Sequence, residues 1–269
     1  MGTRGGRTLL GNIVWAPYSV AAWVGSCAWL GVLAGTSAIA TIVKPFEKFQ
    51  TTWPQPQVAW PLIPMFTRLK VDYDPDYDKS RVAVFAQNHV SALDAHIGCG
   101  SIPMPICGLE AASHLKIPGY GWLMRVANAI PVEKGANRFE KIADALKERA
   151  SRGISILAFP EAHRTTDGTV RPLKRGVFHM AVAAGIPIVP VCVRGAYRLL
   201  PKGEFTIRPT TVHVYMAPAI ETAGLSDAQI PVLMERVHEV MRAWVEDGVK
   251  KPELCLEPIP EVPERAAAE

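Results

Sequence analysis

Cysteine is scarce in this chain of 269 residues and badly spaced for a metal. The five thiols, Cys27, Cys99, Cys107, Cys192 and Cys255, are odd in number and contain no paired zinc-ligand spacing. That excludes a zinc ribbon and a disulfide scaffold and reads as free thiols in a reducing compartment. No glycine-rich loop leads into a helix, so no nucleotide-phosphate cradle is written here. Tyrosine and tryptophan are not interleaved with basic residues, which argues against a nucleic-acid surface. No internal repeat is present, and a solenoid is excluded with it.

Charge is also missing where it is normally found. From Thr8 to Val43 no residue carries a formal charge, although Arg4 and Arg7 precede the stretch and Lys44 and Lys48 follow it. A membrane-spanning helix needs about 20 apolar residues, so the stretch exceeds one span and falls short of two comfortable ones. Pro17, Gly25, Gly31 and Gly35 interrupt it. The apolar part is too long for a signal peptide, and Trp15, Trp23 and Trp29 are spread through it. A single tilted transmembrane helix and a shallow helical hairpin in one leaflet both satisfy the pattern, because basic residues flank both ends. A buried helix pair of a soluble protein is the third reading.

What the rest contains is an α/β pattern. Apolar residues make up 49% and charged residues 20% of the chain, and the mean hydropathy of +0.12 is high for a soluble enzyme. The length suits one sizeable domain with an appended segment. Val82–Ala86, Ile154–Phe159 and Ile188–Val193 read as buried strands. Between them, Phe139, Ile142, Ala143 and Leu146 recur at helical spacing, and Phe178–Ala184 reads as a short helix ended by Gly185. Thr206–Arg208 and Val212–Met216 read as a late strand pair. A last helix opens at Ser226 with Gln229 as its capping-box partner and stops by Gly248. The alternation predicts an α/β sandwich around a mixed sheet. The expected organisation is a hydrophobic membrane-anchoring helix or helical hairpin over 1–48, a Pro/Trp-rich connector over 49–64 suited to a membrane interface, the main domain over 65–250 and a Pro/Glu-rich disordered tail over 251–269.

Chemistry concentrates in two motifs, Asn88-His89-Val90-Ser91-Ala92-Leu93-Asp94 and Phe159-Pro160-Glu161-Ala162-His163-Arg164. His89 falls at a strand end. Ser91 fits an N-cap, with Asp94 three residues on in the capping-box position, where the helix dipole favours the carboxylate. A carboxylate within reach of one imidazole nitrogen fixes the tautomer and leaves the other nitrogen free to take a proton. A helix cap beside an ordinary loop histidine would read the same way. Metal-dependent hydrolysis, with His89, Asp94, His96 and His163 as ligands, is a further reading, weakened because positions i and i+2 of a helix do not share a face. A catalytically silent membrane-associated binding protein is the third.

Four blocks in order tip the balance: the His89–Asp94 motif, Ile130-Pro131-Val132-Glu133-Lys134 with Asn137-Arg138, the Phe159–Arg164 motif with Leu173-Lys174-Arg175-Gly176, and Ile186-Pro187-Ile188-Val189-Pro190-Val191. Over most of residues 65 to 220 the chain resembles the glycerolipid acyltransferase family. The resemblance implies an α/β domain with an N-terminal two-helix anchor that does not cross the membrane. It implies transfer of a fatty acyl group from acyl-CoA or acyl carrier protein, as cosubstrate and with no cofactor or metal, to the free hydroxyl of lysophosphatidate. His89 and Asp94 would be the base pair, and Lys134, Glu161, Arg164 and Lys174 would bind substrate. The partners would be membrane lipids and the lysophospholipid acceptor, with the catalytic domain on the cytoplasmic face of a membrane.

Two departures bear on the acceptor. Glu133-Lys134 stands where the family carries Asp-Arg, exchanging a bidentate fork for a point charge. Ala162-His163 stands where the family carries Gly-Thr, which should deny the backbone positive φ and adds a titratable ring. Glycerol 3-phosphate or a headgroup-bearing lysolipid is the alternative acceptor.

Overall fold

A computed structural model of the chain describes residues 9–59, 67–118, 120–133 and 138–262. The uncharged stretch forms one helix, α1 (Leu9–Thr41), which runs unbroken through Pro17. Of the two arrangements open over 1–48, helix or helical hairpin, the described residues take the single long helix. A Cβ at Gly25, Gly31 or Gly35 would meet open space, so these three cost the helix only propensity. By length and composition it could cross a membrane. One face packs on the domain: Ser19 Oγ accepts the Ile207 N–H at 2.9 Å, and Trp23 donates to the Phe205 carbonyl at 3.0 Å while stacking on its ring.

The described part of the connector is held against the domain. A 3₁₀ turn (Phe46–Lys48) and helix α2 (Pro54–Ala59) carry it across the domain. Buried Gln50 donates to the Ile106 carbonyl, and buried Gln55 donates to the carbonyls of Ile102 and Met104. Polar side chains that satisfy buried backbone acceptors fix a segment in place. Residues 60–66 of the connector lie outside the described residues.

Among the described residues, seven strands form one sheet: β1 (Arg68–Tyr73), β2 (Val84–Gln87), β3 (Ile106–Ala111), β4 (Ile130–Val132), β5 (Ser155–Ala158), β6 (Ile188–Arg194) and β7 (Thr211–Met216), in the order β1-β7-β6-β2-β5-β3-β4. All neighbours are parallel except β6 and β7. The mixed sheet thus follows the sequence pattern. Central strands β2 and β5 are buried at every residue, as parallel strands covered on both faces must be, whereas edge strand β1 alternates.

Alternate residues feed two cores. Val84, Ala86 and Ile156 face α5 (Arg138–Ser151), α6 (Arg175–Ala184) and α8 (Ile230–Arg242), meeting Ile142, Leu146, Phe178, Leu233 and Val237. Phe85, Leu157 and Val191 face α3 (Asp94–Ser101), and the same cluster receives Tyr18, Ala22 and Trp23 of α1. The remaining short helices are α4 (Tyr120–Val126), α7 (Ala196–Leu199) and α9 (Glu253–Leu256).

Two further expectations are corrected. Thr206–Arg208 is not a strand: its backbone is bonded to Ser19 of α1 and to the Leu199 carbonyl, so no sheet edge is open to it. The tail over 251–262 is ordered. Cys255 is buried, and Arg236 donates to the carbonyls of Glu257 and Pro258, while Gln229 donates to Pro260. Residues 263–269 lie outside the described residues. The final helix matches its reading: the capping box at Ser226 and Gln229 is present, and Gly248 closes it in the left-handed conformation after a π-helical turn over Ala243–Asp247.

Candidate active site

The site lies beyond the carboxyl ends of two adjacent parallel strands, β2 and β5, the position at which open α/β sheets bind ligands. The strand end is held by amides that the sequence reading gave no role. Asn88, fully buried, accepts the Val193 N–H at 2.7 Å and donates to the Val193 carbonyl at 3.0 Å, clamping β2 to β6. Gln87 donates to the Asp94 carbonyl and so ties the strand to the first turn of α3. Their signal in the sequence was two adjacent amides ending an apolar run.

His89 follows directly. Its Nδ1 stands 2.8 Å from Asp94 Oδ2. That oxygen also accepts the N–H groups of Val90 at 2.6 Å and Ser91 at 2.8 Å. It faces the ring as an acceptor, which places the imidazole proton on Nδ1 and the free lone pair on Nε2. The His89 side chain is 22% exposed and the Asp94 side chain is fully buried. Burial raises the Asp94 carboxyl above the usual carboxylate range, opposed by the hydrogen bonds from His89, Ser91 and Val90. The local helix differs in detail from its reading. α3 begins at Asp94 itself, with Leu93 as N-cap. Ser91 supplies only its backbone N–H to the Asp94 carboxylate, because its hydroxyl donates to the Leu200 carbonyl.

Glu161 comes from the end of β5. One carboxylate oxygen accepts the His89 N–H at 2.7 Å and the other accepts the Arg171 N–H at 2.8 Å. It is 2% exposed and pairs with no arginine side chain among the described residues. It joins His89 to the third block, in keeping with a bracing residue; the sequence left bracing and contact with the acceptor both open. Burial raises its carboxyl pKa as well, opposed by the two backbone donors. The loop is tied back again by Thr165, whose N–H donates to the His89 carbonyl at 2.9 Å, and by Lys174, whose N–H donates to the Pro160 carbonyl at 2.8 Å. Phe159 lies against the base, its ring 4.3 Å from the imidazole and inclined by 21°.

Ala162 departs from expectation. The alanine was expected to deny positive φ, yet the residue sits at φ 63°. The residue closes a turn with its N–H to the Phe159 carbonyl and takes the left-handed conformation despite its Cβ. His163 beside it is exposed.

The cations divide. Arg164 is half-buried and Lys174 exposed, and neither makes an ion pair among the described residues. Arg171 and Arg175 are exposed on the same segment. Lys134 lies outside the described residues. His96 is largely buried in α3, and burial lowers its pKa. Among the described residues no three His, Cys, Asp or Glu side chains come together to hold a metal ion, so the ligand set His89, Asp94, His96 and His163 is not assembled.

The class of protein defined so far is an α/β domain that presents one carboxylate-oriented imidazole beyond the ends of its parallel strands. Residues 68–194 match the family model described as Acyltransferase. Similar curated proteins are the 1-acyl-sn-glycerol-3-phosphate acyltransferases of Limnanthes douglasii, 28% identical over 61% of this chain and 59% of that protein, and of Salmonella typhimurium, 32% identical over 49% and 55%. That of Escherichia coli is 28% identical over 59% and 65%. The matches span about three fifths of the length of these relatives. The fold is shared with the crystal structure of the 1-acyl-sn-glycerophosphate (LPA) acyltransferase PlsC from Thermotoga maritima, with a TM-score of 0.74 at 22% identity over 87% of this chain and 96% of that one. Over residues 68–194 the chain is thus similar in sequence to the Acyltransferase family and to these acyltransferases, and its fold is that of the solved one.

Proposed function

We propose that the protein transfers a fatty acyl group from acyl-CoA or acyl carrier protein to the free hydroxyl of lysophosphatidate or a related lysophospholipid. The observation that carries this reading is the His89–Asp94 pair at 2.8 Å, with no serine or cysteine side chain hydrogen-bonded to His89 among the described residues. A base without its own nucleophile suits a reaction whose nucleophile arrives with the substrate. The acceptor hydroxyl gives its proton to His89 Nε2 as its oxygen bonds to the thioester carbonyl carbon. The resulting tetrahedral adduct collapses with cleavage of the C–S bond, and the departing sulfur takes the proton back from the imidazolium. Asp94 holds the ring in register and stabilises its positive charge. Glu161 keeps the base and the basic loop in fixed relation, so the gain is chiefly in orientation.

Arg164 and Lys174, with Lys134, would hold the acceptor phosphate. The support is that both described cations are free of ion pairs and belong to a segment bonded to His89 and Pro160. The names of the relatives point to lysophosphatidate. The test is product analysis by mass spectrometry with detergent-purified full chain, acyl-CoA and acyl carrier protein in separate reactions, and lysophosphatidate, glycerol 3-phosphate and headgroup-bearing lysolipids as acceptors. Phosphatidate formed from lysophosphatidate supports the reading. Acylation confined to another acceptor would move the specificity to the Ala162-His163 substitution, and no acylation of any acceptor would overturn the proposal. The free thiols and α1 together favour a membrane-associated enzyme facing a reducing cytoplasm.

A further inference from the structure

α1 does not lie alone on its side of the molecule. Its carboxyl-terminal half carries exposed Val32 and Ile39, exposed Ile42 and Val43 follow it directly, and formal charge resumes at Lys44 and Lys48. That end is pinned to the domain near α4: Glu47 accepts from Asn128, just past α4, and pairs with Arg152 at 2.7 Å. α4 itself touches α1. Any bilayer that α1 enters through this end therefore ends at the level of α4.

At that level the segment leading into α4 exposes large apolar side chains. Ile117 is 49% exposed and Trp122 48%, with Tyr120 beside them. The backbone presenting them is held firmly. Tyr120 donates to Glu110, Arg125 donates to the Leu115 carbonyl at 2.8 Å, and the close approach of Gly121 to the Leu115 carbonyl leaves no room for a Cβ. Lys116 and Arg125 flank the patch and are exposed. Trp and Tyr with an apolar body and a polar edge, set beside cations, match the interfacial layer of a bilayer with anionic headgroups rather than its hydrocarbon centre or bulk water.

We propose that the Ile117–Trp122 face is a second membrane contact, seated in the headgroup layer of an anionic bilayer beside the point where α1 leaves it. The inference rests on α1 entering the bilayer, and it adds a fixed orientation. Two contacts on one rigid body set the tilt of the domain, where a helix alone would leave it free to swing.

Native Cys27, exposed on α1, gives the reference site for a nitrobenzoxadiazole thiol label on the full chain. Cys27→Ser removes that site, and Trp122→Cys or Glu235→Cys then places the label on the proposed contact or on α8, which covers the opposite face of the sheet. Each is reconstituted with phosphatidylglycerol vesicles carrying a headgroup nitroxide lipid, and quenching is read. The expected result is strong quenching at position 122, little at position 235, and a several-fold weaker effect at 122 when Lys116→Glu is added or phosphatidylcholine replaces phosphatidylglycerol. An unquenched label at 122 with a membrane-shielded label at Cys27 would overturn the second contact while leaving α1 in the bilayer. Shielding absent at both sites would overturn the reading of α1 as well. Shielding at 122 that persists in detergent and grows with protein concentration would assign the face to a second copy, and would equally overturn the proposal.

Discussion

Replacing Ala162 by glycine should stabilise the protein, although glycine usually does the opposite. Ala162 is exposed at φ 63°, so its methyl group contributes no burial while its Cβ crowds the backbone. The left-handed conformation costs an L-residue roughly 1–2 kcal/mol, which glycine avoids. Against that, glycine adds about 0.4–1 kcal/mol of unfolded-chain entropy. The net expectation is a gain of roughly 0.5–1 kcal/mol. Ala183→Gly, at an exposed helical position in α6, is the matched control and should lose about 1 kcal/mol. Thermal unfolding followed by intrinsic fluorescence in one detergent reads both, since 1 kcal/mol moves Tm by about 2–4 °C in a domain of this size. The two variants should shift in opposite directions. If Ala162→Gly falls as far as Ala183→Gly, the strained turn beside Glu161 is not the conformation of the folded chain, and the geometry argued for the third block fails with it.

Asp94→Asn keeps an acceptor for Val90 and Ser91 but removes the charge facing the imidazolium, so kcat should fall by about 10²-fold or more while the melting profile stays close to wild type. An activity within threefold of wild type would remove Asp94 from the mechanism. Phe159→Leu removes the ring stacked on His89, worth roughly 0.5–1.5 kcal/mol, and should lower kcat about three- to tenfold with KM for both substrates unchanged. A change in KM alone would instead make Phe159 part of a substrate pocket. Glu161→Gln sets an amide N–H₂ against one of two buried backbone N–H donors and should cost about 1–3 kcal/mol. The carboxyl of Glu161 is raised on folding, so its contribution to stability is fully present at acid pH and is lost as pH rises through the folded value. The cost of the substitution, measured by denaturant unfolding, should therefore be greater at pH 5 than at pH 8, and a cost that grows with pH would contradict the assignment.

The parts legible in the sequence were those fixed by local pattern. β2, β5 and β6 are short apolar runs that could only be buried strands, and the capping box at Ser226 announced the last helix. The pairing of His89 with Asp94 was legible because it follows from a spacing within one strand-to-helix turn. The failures are of longer range. For α1 the sequence left a single helix and a hairpin both open, because Pro17 and three glycines interrupt the run; packing of Ser19 and Trp23 on residues 205–207 supports one face of a continuous helix. The tail reads as disordered by composition, but Arg236 and Gln229 of the last helical segment satisfy its carbonyls. Glu161 shows the same limit within the site. A carboxylate near an arginine in the sequence fits a ligand, a brace or an ion pair alike, and only the fold brings the N–H groups of His89 and Arg171 to its two oxygens.

The most direct test of the account is phosphatidate formation from lysophosphatidate and acyl-CoA, followed by mass spectrometry, comparing the full chain with His89→Ala after both give the same cooperative melt. Product from the wild type, lost by about 10²-fold or more in the variant, is the predicted result. Equal product from both would show that proton transfer is done elsewhere, and the His89–Asp94 pair would then be no more than a well-ordered strand end.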